Sequence, residues 1–280
     1  ESAIFPAVSP GVVPYDQQGL APLPPVNGTF ESADPSAVAV DATGRMTALA
    51  AGTARVTYHA PEGDVAIDVT VDPAAPPREI VNLIYVAQKE LFTVQRVRLP
   101  KYNQYAKWYY GKKKEVGWCA VFVNWCANAA GGRPLKRDEV PADTSGQTLF
   151  LREGMPSNQY AGFLAQGRFV DAPRPGYLVI YADLSNAYRT THIGVVVDVE
   201  DRGGGQYRVR TVEGNMSSTV KGYCYLYDSA LSNAAVGDEK GRRLNRNTAV
   251  VPEAEQTDPL LWQYALHADD WAVFGFCATW

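Results

Sequence analysis

Six residues, DPAAPP at 72–77, separate two stretches of chain written in different hydrophobic periods. Before them come short alternating runs: AVAV at 37–40, ARVTY at 54–58 and DVAIDVTV at 64–71, with turn signals DATG at 41–44 and EGD at 62–64 between them. In the last run Val65, Ile67, Val69 and Val71 share one face while Ala66, Asp68 and Thr70 share the other, the period of a half-buried strand. Beyond the prolines, Ile80, Ile84, Ala87 and Leu91 recur at helical spacing. Proline stiffens the link and ends the β region. The chain therefore reads as two domains: an all-β sandwich over 1–75 and a mixed α+β domain over 78–280.

Composition supports two packed cores, since 46% of the 280 residues are hydrophobic and 20% are charged. Nucleic acid is a poor partner for a chain of net charge −4 with no basic stripe. The charge is uneven, with nine acidic and two basic residues up to residue 77 and a slightly basic remainder. Lys112 to Lys114 form the one basic run and read as a solvated turn. No apolar run approaches the roughly 18 residues of a membrane span. The chain opens on ESAIF without an initiator methionine, which reads as a segment trimmed of its targeting sequence.

Two of the four cysteines lie in GWCAVFVNWCANAAGG, residues 117–132. Apolar side chains surround this segment until Gly131 and Gly132 stop it, as expected of a helix enclosed by protein. Seven helical residues put Cys119 and Cys126 about 10 Å apart, beyond the span of about 7 Å that a disulfide can bridge. His59, His192 and His267 are scattered and offer no zinc-like pairing. One reactive thiol or none remains, because buried cysteine is commonly core packing. Of the two, Cys119 sits in the first turn, where unpaired N–H groups and the helix dipole favour a thiolate. A nucleophile also needs a base.

Two strands offer one. THIGVVVDVE at 191–200 and QYRVRTVEGN at 206–215 flank a glycine-rich link and read as a hairpin. A loop at 201–204 sets His192 opposite Glu213, with Asn215 two residues further on the same side. A carboxylate so placed orients the imidazole and stabilises its protonated form. Each residue alone has a structural reading, His192 as a strand-edge side chain and Glu213 as a surface carboxylate. The cluster Tyr102, Tyr105, Trp108, Tyr109 and Tyr110 precedes the cysteine helix and reads as core, with a substrate-groove wall as the alternative.

Two resemblances extend this reading. The run from ESADPSAVAVDATG to DVAIDVTVD resembles the group 2 bacterial immunoglobulin-like domains. The ordered series W-C-A-x-F-V-x-W-C-A, P-G-x-L-V-I-Y, T-H-I-G-V-V and V-E-G-N resembles the CHAP family of cysteine, histidine-dependent amidohydrolases and peptidases, a bacterial branch of the papain-like fold. That resemblance implies Cys119 as nucleophile, His192 as general base and acid, Glu213 as third member and Asn215 as an auxiliary polar group. Trp118, Tyr181 and Trp108 are expected at the substrate groove. It implies cleavage of amide bonds in peptidoglycan, by an endopeptidase or an N-acetylmuramoyl-L-alanine amidase. The mechanism requires no metal or cofactor, and an extracellular or wall-associated monomer is expected. The rival is a surface-binding protein that keeps the fold without turnover.

Family members commonly carry Asp where this chain has Tyr177 in RPGYLVIY, which puts a local turn in doubt. Residues 229–270 read as an insertion, a lid or a surface excursion, containing a helix capped by Asp258 and Pro259. His267 within it is expected to be exposed. Cys224 and Cys277 are the one cysteine pair left open.

Overall fold

A computed structural model describes residues 28–44, 46–50, 52–61, 63–71, 76–234, 243–265, 267 and 270–280. The chain divides into two compact units, Glu1–Pro77 and Arg78–Trp280. Most of the linker, residues 72–75, lies outside the described residues.

In the first unit, β1 (Thr29–Ser32), β4 (Gly52–Ala60) and β5 (Gly63–Val71) form one antiparallel sheet in the order β1-β4-β5, and β2 (Val38–Val40) pairs β3 (Met46–Ala48) in a second. The DATG turn closes as expected, with Gly44 N–H donating to the Asp41 carbonyl at 2.9 Å and Thr43 N–H to the Asp41 carboxylate at 2.8 Å. Ala37, Val38, Met46, Ala54, Val56 and Val69 make the small core. The alternating face of β5 is covered at one end only. Val69 is buried, but Val65 and Ile67 are 64% and 42% exposed, because β5 is the edge strand and the small core reaches no further along it.

The second unit is α+β. Its main sheet runs β11 (Thr248–Val250), β10 (Thr219–Asp228), β9 (Gln206–Met216), β8 (Asn186–Asp201), β7 (Leu178–Asp183), β13 (Trp271–Cys277), β6 (Phe169–Val170), with β12 (Trp262–Gln263) added parallel to β10. Helices α1 (Arg78–Val94), α3 (Cys119–Ala129) and α4 (Pro156–Ala165) pack on it, and α2 (Gln104–Tyr110) packs on α3. The α1 periodicity is realised with Ile80, Leu83, Ala87 and Leu91 buried. Alternation along the strands feeds two cores. Ile180, Ile193, Val195 and Val212 point to the helices, and Val179, Tyr181, Val196 and Val209 to the opposite face. No helix among the described residues is long and apolar enough to cross a membrane.

One local expectation changes and two open points are answered. Asp258 and Pro259 do not start a helix: Asp258 sits at φ 53°, one turn closes by Trp262 N–H to the Asp258 carbonyl at 3.0 Å, and the chain then joins β10 as β12. Cys224 and Cys277 are free and buried, each packed in the helix-side core. The Pro175-Gly176 turn survives without an aspartate, because Gly176 takes φ 87° and Tyr177 N–H donates to the Arg174 carbonyl at 3.1 Å. The Tyr177 ring itself is buried against Trp280.

Candidate active site

Cys119 is the first residue of α3, and Trp118 before it takes the N-cap position without a side-chain cap. The first N–H groups of the helix have no intrahelical acceptor and aim their partial positive charge at the thiol. Asn215 Nδ2 lies alongside Gly117, 3.6 Å from where a side-chain carbon would stand on that glycine. Tyr110, at the end of α2, is also near the thiol: its phenol is pushed up by burial and then by Cys119. Cys126, two turns deeper, is fully buried, and desolvation followed by the charge of Glu90 pushes its thiol well up.

The hairpin sets the other half of the site in a register different from the sequence expectation. Pairing begins at Asp201↔Tyr207, three residues out of the expected register, and passes a bulge at Val197 to reach Val196↔Thr211 and Val195↔Val212, two residues out. Continued one step, Gly194 faces Glu213, and His192 is its diagonal neighbour instead of its partner. An odd shift would have sent the two side chains to opposite faces; the extra residue of the bulge restores an even one. The Glu213 side chain crosses the space over Gly194, where a Cβ would lie 2.6 Å from its Cγ. His192 is paired across β7 with Tyr181 on the same face.

His192 Nε2 lies 3.0 Å from Glu213 Oε2, an ion-pair distance, though off the line of the ring N–H bond. Cys119 is the strongest of the influences that raise the ring. Thiol and imidazole come from opposite faces of the sheet and meet beyond the last β8–β9 pair. Burial alone would lower His192; Cys119 and then the Glu213 carboxylate outweigh it and raise the ring to about 10. Trp271 stacks on the ring at 5.6 Å. Trp271 and Thr191 also line a cleft of about 370 Å³ with Asp183, Thr190 and Asp270, which opens beside the imidazole.

Glu213 is fully buried and accepts from Tyr181 OH at 2.8 Å, Thr211 Oγ1 at 2.6 Å and His267 Nε2 at 3.0 and 2.9 Å. Burial pushes the carboxyl up, but His267 and then His192 beside it more than offset this, so it is held well below the ordinary carboxylate range.

The structure thus gathers Cys119, His192 and Glu213 and sets Asn215 beside the loop that leads to Cys119. It redistributes the aromatic residues. Trp118 is completely buried, stacked on Tyr105 at 5.3 Å, and cannot line a groove. Tyr181 is 1% exposed and spends its hydroxyl on Glu213, so it orients the carboxylate instead of touching substrate. Trp108 is half-buried under the Arg152 guanidinium at 4.9 Å. His267, expected at the surface, has a side chain only 7% exposed and bonded to Glu213. Thr211 could have been found from the strand alternation that places it on the Glu213 face; His267 and Trp271 carry no such local signal.

A sheet bearing His and Glu against a helix that opens on Cys defines the papain-like class of fold, here preceded by an immunoglobulin-like sandwich. Residues 108–215 match the CHAP domain and residues 19–71 the bacterial Ig-like domain (group 2), so the chain carries these two domains in that order. CHAP domains mark amidases and peptidases of the peptidoglycan-hydrolase type, and the pair is typical of bacterial cell-wall proteins. No curated protein and no solved structure matches the chain significantly.

Proposed function

We propose that the chain is a cysteine hydrolase that cleaves amide bonds of bacterial peptidoglycan outside the cell. The observation that carries this reading is the grouping of Cys119 at a helix N-terminus, His192 whose ring feels Cys119 most strongly among the groups that raise it, and Glu213 at 3.0 Å from His192. The Cys119 thiolate attacks the amide carbonyl carbon while its proton resides on His192. The developing oxyanion is met by the Cys119 N–H and, from the other side, by the Asn215 amide. His192 returns the proton to the leaving amine, water hydrolyses the thioester with His192 as base, and the acid product departs. Glu213 stays ionised and steadies the imidazolium. The half-buried aromatic side chains of α2, Trp108 among them, and the cleft beside Trp271 are the surfaces on which a stem or cross-bridge peptide lies.

The test is a digest of purified peptidoglycan by the wild-type chain and by Cys119→Ala, with fragments and new amino groups identified by mass spectrometry. Fragments released by the wild type alone establish the hydrolase, and their termini distinguish an endopeptidase from an N-acetylmuramoyl-L-alanine amidase. A folded wild-type chain that releases nothing from walls of several chemotypes overturns the reading in favour of wall binding without turnover.

A further inference from the structure

His267 stands outside the three-residue series, and outside the span 108–215 over which the chain matches the CHAP domain. It comes from the segment between β10 and β13, 54 residues past Glu213. Its ring is held between Tyr181 and Tyr223, each at 4.2 Å, with Trp271 stacked at 5.9 Å. Its Nε2 reaches both oxygens of Glu213 almost equally, at 3.0 and 2.9 Å. A carboxylate offers about four acceptor positions. Here Tyr181, Thr211 and His267 donate to Oε1 and His267 also to Oε2, which His192 Nε2 approaches to 3.0 Å without a hydrogen bond. One buried carboxylate is therefore shared by two imidazoles, and only one of them faces the thiol.

We propose that His267 is a positioning residue for this site: it donates to Glu213, keeps the buried carboxylate ionised, and fixes the rotamer in which Oε2 faces His192. The segment after β10 would then complete the site instead of decorating it. A carboxylate without enough donors in this environment is costly to keep charged. The groups around Glu213 bear this out: Thr211 on its own strand, His192 on β8, Tyr181 on β7, Tyr223, Tyr225 and Lys221 on β10, and His267. Of the two imidazoles that hold Glu213 down, His267 is the larger influence. Remove it, and burial drives the carboxyl upward; as pH falls, Glu213 then protonates earlier and His192 loses its counter-charge.

The inference rests on Cys119 being the nucleophile, so the readout is the reactivity of that thiol, which needs no substrate. Iodoacetamide alkylation at Cys119 would be followed by peptide mapping from pH 4 to 10, with melting temperature, kcat and KM on released wall fragments alongside. His267→Phe keeps the ring between its tyrosines without the N–H; His267→Gln keeps a donor. In H267F the acid edge of the alkylation profile is expected to move up by about one pH unit or more, and kcat to fall with KM little changed. H267Q, which keeps a donor but not the charge, restores part of both. A purely structural role would lower the melting temperature and leave the edge in place. An H267F profile that superimposes on the wild type overturns the inference, as does a folded H267Q whose edge moves by the full one pH unit or more expected of H267F, which decides the matter even if H267F fails to fold. Failure of the nucleophile reading looks different: wild-type Cys119 would then alkylate no faster than Cys126, whatever occupies position 267.

Discussion

The chemistry of a single imidazole governs what this site does with pH. Against burial, which would lower it, His192 is raised to about 10 by Cys119 and then by Glu213. The stabilisation tied to that shift is fully present below about 6.5, the ordinary histidine value, and is lost as pH rises through about 10. Nitrogen-15 NMR of the ring should show it protonated well into the alkaline range, and Cys119→Ser, which removes the leading cause, should move its titration down. An unmoved titration would mean that the thiol does not hold the proton on His192. Gly194 gives a second prediction at this scale, because an added Cβ would stand 2.6 Å from Glu213 Cγ. Gly194→Ala should cost about 1–3 kcal/mol in urea unfolding and slow Cys119 alkylation more than that loss accounts for. At this scale much of the site was legible: Cys119, His192 and Glu213 each sit in a motif whose chemistry can be named. His267 was not. Its contact with Glu213 spans 54 residues and depends on how an aperiodic segment folds back over β10.

Elements show where sequence reasoning was right for an incomplete reason. The glycine-rich hairpin was legible, but its register depends on where three consecutive glycines at positive φ, Gly203, Gly204 and Gly205, place the turn. That placement moved the pairing by three residues, and the bulge at Val197 returned one of them. Nothing in VVVDVE marks which residue bulges. Helix α3 was legible as an enclosed helix because apolar residues cover it, yet which of its aromatics face substrate was not, since burial of Trp118 is decided by Tyr105 from α2. The close approach of α3 to β9 is set by Gly214, where a Cβ would lie 2.5 Å from Phe122 Cβ and 2.9 Å from the Trp118 ring. Gly214→Ala must push the first turn of α3 off the strand. Since Cys119 lies between those two contacts on the helix, the expected result is a loss of about 1–3 kcal/mol in urea unfolding together with slower alkylation at Cys119. Loss of stability with undiminished reactivity would show that the thiol is not aligned by that contact.

For the whole molecule, the two hydrophobic periods on either side of the prolines correspond to units with separate cores, and the division at Pro77 and Arg78 carries a consequence. Among the described residues, the groups gathered at the candidate site belong to the second unit: Cys119, His192, Glu213, the hydroxyls of Tyr181 and Thr211, and His267. A fragment of residues 78–280 should therefore fold, melt as one transition, and reproduce the alkylation profile of Cys119 in the full chain, including its acid edge. The same fragment compared with the full chain on insoluble walls separates reactivity from delivery. If the sandwich serves to hold the enzyme on its substrate, removing it leaves kcat on soluble wall fragments unchanged and slows release from intact sacculi. A fragment that is folded but shifted in its thiol profile would instead mean that the first unit acts on the site itself.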